Sequence, residues 1–115
     1  AYERDHFKFE PIYFDYDESI IKSDYHLFLN KLIRVINSHS DLRIKVTGHT
    51  DSDGSDEYNI ALSKRRSEAI IKYFQMNGLD RDKVKIDFKG EKEPVESNKT
   101  TQGKQKNRRV DFSFI

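Results

Sequence analysis

Apolar residues recur at two spacings along this chain, and the alternation between those spacings predicts the elements. Residues 7–16, FKFEPIYFDY, are aromatic and β-prone, and Pro11, lacking a donor, places them at an edge or a bulge. Ser23 is placed to cap a helix running through about Ser38, with Leu29, Leu32, Ile33 and Ile36 at helical spacing. Leu42, Ile44 and Val46 alternate with Arg43, Lys45 and Thr47, the period of a strand with one buried face. A second helix, capped by Ser55 or Asp56, should stop near Asn77–Gly78. Val84, Ile86 and Phe88 alternate again; Gly90 and Pro94 then open a polar loop through Lys106, and Val110, Phe112 and Phe114 form a last strand.

Strands separated by helices need crossover connections. The order β-α-β-α-β-loop-β therefore predicts an α/β (α+β) fold, a two-layer sandwich with a mixed sheet and two main helices on one face. At 115 residues the chain supports one domain, 1–115, and no second core. Its opening, AYERDHF, reads as the cut edge of a longer protein or a processed start.

Composition changes the picture in three ways. Apolar residues are 35% and charged residues 36%, against about 25% charged in an ordinary domain, so a compact aromatic core is wrapped in an ionic surface. Lys and Arg number 21 against 20 Asp and Glu, a net charge of +1 that exerts no general pull on nucleic acid. There is no cysteine, which removes disulfides and thiolate-held metals but leaves the compartment open. No run approaches the roughly 20 apolar residues that span a bilayer.

Two stretches invite chemistry: GHTDSDG at 48–54 and the helix that follows it. On that helix Tyr58, Leu62, Ala69 and Tyr73 form one stripe, which Ile70 and Phe74 widen, and Arg66 falls inside it. An unpaired buried charge is costly. Periodicity leaves two readings open: Arg66 snorkels to water or pairs with a structural acid, or it faces a ligand. Asp51 stands at the strand's exit, where ligands of α/β sheets collect. Arg66 is ten residues, roughly 15 Å of rise, beyond the helix start, and its side chain points back towards that start. A gap between the two charges would admit a zwitterion.

Other chemistries fit less well. The acidic loop misses calcium-loop spacing in both possible registers, and such acids commonly turn a loop and cap a helix. His6, His26, His39 and His49 lack metal-ligand spacing, so ordinary structural or surface roles are expected, with no metal and no cofactor. No nucleophile elbow, phosphate loop or dinucleotide fingerprint is present, which predicts no catalytic residue and no enzyme. The basic stretch 104–109, KQKNRR, is short and lacks interleaved aromatics, so it reads as solvated surface.

Three blocks, IYFDYDESIIK, TGHTDSDGSDEYNIALSKRRSEAIIKYF and GEKEPVESNKTTQGKQKNRRVDF, occur in that order and cover about Tyr13 to Phe114. Together they resemble the OmpA-like C-terminal peptidoglycan-binding domain, shared by OmpA, peptidoglycan-associated lipoprotein and the flagellar stator subunit MotB. The resemblance implies non-catalytic binding of the meso-diaminopimelate of the cell-wall stem peptide, anchoring the outer membrane or a membrane complex to the wall. It carries over Asp51 as the acid that takes the ligand's ammonium and Arg66 as the arginine that takes its carboxylate. Asn59 and Leu62 lie in the same block, Thr50 contributes to the rim, Tyr16 and Asp17 fall on contacting positions, and Arg108 is a further carboxylate contact. Arg109 is structural by the same comparison. Tyr16 and Asp17 stand where relatives vary, and Ser67 where alanine is common. The resemblance further implies the periplasmic face of a Gram-negative outer membrane, with membrane contact only through another part of a longer protein. The alternative is a periplasmic protein-interaction module using the same pocket or the 104–109 stretch.

Overall fold

The computed structural model describes residues 2–115, with side chains from Arg4 onward; Ala1, where the expected cut edge falls, lies outside them. The elements are α1 (Tyr2–His6), β1 (Ile12–Tyr13), α2 (His26–Asn37), β2 (Ile44–Gly48), α3 (Asp56–Met76), β3 (Val84–Phe88), α4 (Thr101–Asn107) and β4 (Arg109–Phe114). Short 3-10 turns at Ser23–Tyr25 and Arg81–Lys83 precede α2 and β3.

The four strands form one mixed sheet in the order β1-β4-β2-β3. β2 runs parallel to β3 and antiparallel to β4, and β1 is antiparallel to β4 at the edge. The register places Ile44 beside Val84 and Phe114, and Val46 beside Ile86 and Phe112. Side chains alternate across a strand, so those residues face one way, towards Leu29, Leu32 and Ile36 of α2 and Ile70 and Phe74 of α3, all in one core. Both main helices therefore cover the same face, as the period predicts. The opposite face carries Lys45, Thr47, Asp111 and Ser113.

α3 begins as its sequence dictates: Ser55 Oγ accepts from Tyr58 N at 3.1 Å, and Asp56 and Glu57 oppose the positive end of the helix dipole. It ends at Met76, with Asn77 as the C-cap and Gly78 at φ 95°, a left-handed stop.

Four local expectations are corrected. The strand expected over 7–16 shrinks to two residues, because Phe7 and Phe9 turn off the sheet edge into an aromatic cluster with Phe114, at 5.7 and 4.8 Å between centroids. Ser23 caps nothing: a 3-10 turn comes first, and α2 starts at His26 with no side-chain cap. The strand expected from Leu42 starts at Ile44, because the Leu42 N–H turns back to the His39 carbonyl. The loop expected through Lys106 contains α4. Its sequence TQGKQKN has no apolar stripe; it is held instead by Thr100 Oγ1, which accepts from Gly103 N at 2.9 Å, and by the wholly buried Asn107. Asn107 takes the Val95 and Glu96 N–H groups on Oδ1 and donates from Nδ2 to the Glu96 carbonyl.

Candidate functional site

β2 delivers its last residues to the mouth of α3. At Gly48 a Cβ would lie 2.0 Å from the Ser63 carbonyl oxygen, so only glycine lets the strand lie this close to the helix. Thr50 N then donates to the Gly90 carbonyl at 2.8 Å, Gly90 N donates to Ser63 Oγ at 3.0 Å, and Ser63 Oγ donates to the Ile60 carbonyl at 2.8 Å. These bonds fix the turn after β2 against α3, and Ser63 is occupied in making them.

Asp51 follows, 4% exposed. Its Oδ1 accepts from Asp53 N at 2.9 Å, an Asx turn, and its Oδ2 accepts from Arg108 Nη1 at 3.2 Å. Arg108 is aimed there by its place between α4 and β4, and its Nε donates to the Phe14 carbonyl at 3.0 Å.

Arg66 is fully buried and is held by backbone, not by an acid. Nε donates to the Glu18 carbonyl at 2.8 Å, Nη1 to the His49 carbonyl at 2.9 Å and Nη2 to the Asp15 carbonyl at 3.2 Å. The guanidinium also sits 5.3 Å from the Phe14 ring centroid. Of its five N–H bonds, two remain after these contacts. Burial, then the like charge of Arg108, pushes the Arg66 pKa down to about 10, with Asp51 pulling the other way. Both expectations of the bland kind, snorkelling and pairing with an acid, are replaced by a third: neutral carbonyls fix the group without cancelling its charge.

Asp51, Arg66, Asn59, Leu62, Thr50, Tyr16, Asp17 and Arg108 all line one cleft. Asp51 and Arg66 face it without a direct salt bridge between them. The space it leaves open to a water-sized group is about 20 Å³, far below the roughly 300–1,000 Å³ of sites that engulf a whole small molecule, so only the end of a ligand could enter, and only by displacing the side chains that line it. Tyr16, 61% exposed, stands at the rim, and Asp17, at φ 57°, accepts a hydrogen bond from the Tyr58 hydroxyl. Asn59 is buried and donates to Glu91 Oε1 at 3.4 Å.

Tyr58 and Asp53 also line the cleft; sequence reasoning missed both, treating Tyr58 as stripe and Asp53 as loop. The place of Asp53 two residues after Asp51 was the available signal. The stretch read as solvated surface is divided among tasks instead. Lys104 pairs with Asp53 at 3.0 Å, Lys106 lies 4.8 Å from the Tyr13 ring centroid, Arg108 enters the cleft, and Arg109 pairs with Asp111 at 3.0 Å. Among the described residues no group of three or more His, Asp or Glu side chains is arranged to hold a metal, and no helix is long and apolar enough to cross a membrane.

Residues 13–108 match the sequence model of the OmpA family. The outer membrane protein A of Bordetella avium is 32% identical over 103 residues, which is 90% of this chain and 53% of that protein. The peptidoglycan-binding protein ArfA of Mycobacterium tuberculosis is 35% identical over 103 residues, 89% of this chain and 31% of that protein. The crystal structure of the peptidoglycan-associated lipoprotein from Burkholderia pseudomallei aligns with a TM-score of 0.89 at 28% identity, covering 91% of this chain and 89% of that one. The chain thus spans about half or less of the curated relatives' length and nearly all of a solved relative.

Proposed function

The chain belongs to the OmpA family, and on that premise we propose that it binds peptidoglycan without catalysis, as a wall-anchoring domain of a longer envelope protein. The ligand end is the zwitterionic tip of meso-diaminopimelate in the stem peptide. One observation carries this reading: Asp51, Arg66 and Arg108 converge on one cleft in which Arg66 keeps unspent donors.

The chemistry follows from the charges. Two guanidinium groups and one carboxylate leave the deep part of the cleft with an excess positive charge. An incoming carboxylate accepts from Arg66 and Arg108 through charge-assisted hydrogen bonds, and the ammonium on the same carbon takes Asp51. Thr50 and Asn59 border the tip, Leu62 meets the ligand's methylene chain, and Tyr16 and Asp17 form the rim. A lysine in place of diaminopimelate brings the ammonium but no carboxylate, leaving the buried arginine charge uncompensated.

Names of two relatives support the wall as partner: one is a peptidoglycan-binding protein and the other a peptidoglycan-associated lipoprotein. The periplasmic face of a Gram-negative outer membrane is the matching location. Single stems would bind weakly, and many copies facing a polymer gain through effective concentration. Co-sedimentation with purified insoluble sacculi tests the reading: wild type pellets and Asp51→Asn stays in the supernatant, whereas equal pelleting of both would reject the assigned site.

A further inference from the structure

The cleft is closed as it stands. Its open space of about 20 Å³ holds about one water, whereas the tip of an amino acid carries a carboxylate, an ammonium and the carbon that joins them. Part of the lining has to move, and the deep walls are fixed. Arg66 is wholly buried and held by three carbonyls, Asp51 is tied to Asp53 N and Arg108, and the buried Asn59 and Thr50 each donate to a neighbour. The mouth is different. One lip is the turn at 15–18 and the other is the first turn of α3, and they meet where the Tyr58 hydroxyl donates to Asp17 Oδ1. The backbone of the first lip is clamped: Arg66 holds the carbonyls of Asp15 and Glu18, and Glu18 N closes the turn on the Asp15 carbonyl at 3.1 Å. Asp17 sits inside that turn at φ 57°, a left-handed conformation that Asp adopts more readily than most residues. What can give way is the pair of side chains.

We propose that Tyr58 and Asp17 form a latch across the mouth of the cleft, closed in the free domain and broken when the zwitterionic tip enters. The inference rests on the reading given under Proposed function and adds the step by which the site is reached. Tyr58 is 43% exposed, so its ring turns without disturbing the core. Both partners of the bond reach water once they part, which keeps the net worth of the bond small and lets the latch open at ordinary temperature. Only the open fraction of molecules accepts a ligand, and the apparent affinity falls by that fraction. The hydrogen bond to Asp17 raises the Tyr58 phenol above its ordinary range, with burial and the carboxylate's charge acting in the same direction. The hydroxyl therefore keeps its proton, and the latch its donor, at neutral pH. Tyr58 sets how readily a stem peptide enters without being one of the groups that read its charges.

NMR titration of the isotope-labelled domain with the tripeptide Ala-γ-Glu-diaminopimelate yields both the affinity and the dissociation rate. Tyr58→Phe keeps the ring and removes the bond. It should bind about fivefold tighter than wild type, the effect of losing one hydrogen bond that favours the closed state, through faster association at an unchanged dissociation rate. Asp17→Gly accepts the left-handed backbone without strain and removes the other half of the latch. Added to Tyr58→Phe, it should leave the association rate where it is, because the bond is already gone. Equal association rates for wild type and Tyr58→Phe would overturn the latch and leave the binding reading standing. Faster dissociation from Tyr58→Phe would overturn it too, since the hydroxyl would then hold the ligand and not the mouth. If neither protein responds to the tripeptide, both readings fall.

Discussion

Asp51 is paired with Arg108, at 3.2 Å, and not with Arg66. Asp51, Arg66 and Arg108 form the deep part of the cleft, with Asp17 and Asp53 also lining it: Arg66 is immobilised by the carbonyls of Asp15, His49 and Glu18, and Arg108 is the counter-ion of Asp51. Arg66 thereby joins three chain segments that are distant in sequence, while still presenting its charge to the cleft.

This double duty makes Arg66 a stability residue. Arg66→Ala removes three donors and leaves the Glu18 and His49 carbonyls short of a partner inside the protein, while the Asp15 carbonyl keeps the Glu18 N–H at 3.1 Å, an expected loss of about 3–5 kcal/mol. Urea unfolding measures it. A loss below about 1 kcal/mol would show that the 15–18 segment and the end of β2 do not depend on this guanidinium. Binding studies therefore rest better on Asp51→Asn, which keeps the acceptor for Asp53 N and removes the charge together with the acceptor for Arg108 Nη1.

Gly48 sets how close β2 lies to α3. With the Ser63 carbonyl 2.0 Å from any added Cβ, Gly48→Ala must push strand and helix apart, at a cost of about 1–3 kcal/mol or more. Thermal unfolding should show a melting temperature lower by roughly 10 °C, and an unchanged one would contradict the packing.

Asp111 governs part of the acid limb. Burial pushes its carboxyl up, but the His49 ring, with Nε2 at 3.1 Å, and the Arg109 guanidinium outweigh burial and hold it below the ordinary range. The His49 contact is close in distance but not aligned as a hydrogen bond. A carboxyl whose folded pKa lies below its unfolded value, about 3.9, stabilises fully above that value and loses its effect as pH falls through the folded one. Asp111→Asn should therefore be less stable than wild type at pH 7, with the gap closing below about pH 4. A gap constant across that window, followed by denaturant midpoints, would contradict the assignment.

The parts legible in the sequence are those with a local physical cause. Ser55 and Gly78 bound α3 because a cap and a left-handed stop need particular residues, and β3 shows itself by strict alternation from Val84 to Phe88. Arg66 stands out because a charge in an apolar stripe breaks the pattern. What holds it was hidden, since backbone carbonyls at 15, 18 and 49 carry no sequence signal. α4 was hidden for the converse reason: it is fixed by Thr100 and Asn107 and has no apolar stripe to display. The Asp51–Arg108 pair joins residues 57 apart in sequence, a distance that spacing rules do not span, and only the family resemblance brought Arg108 forward.

The central claim is that this cleft reads both charges of one ligand end. Its most direct test is the affinity of the wild-type domain for two synthetic stem tripeptides, identical except for meso-diaminopimelate or lysine at the third position. The cleft described here predicts that the diaminopimelate peptide binds at least about 30-fold tighter, the usual consequence of leaving a buried charge without its partner. Equal affinity for the two peptides would contradict it.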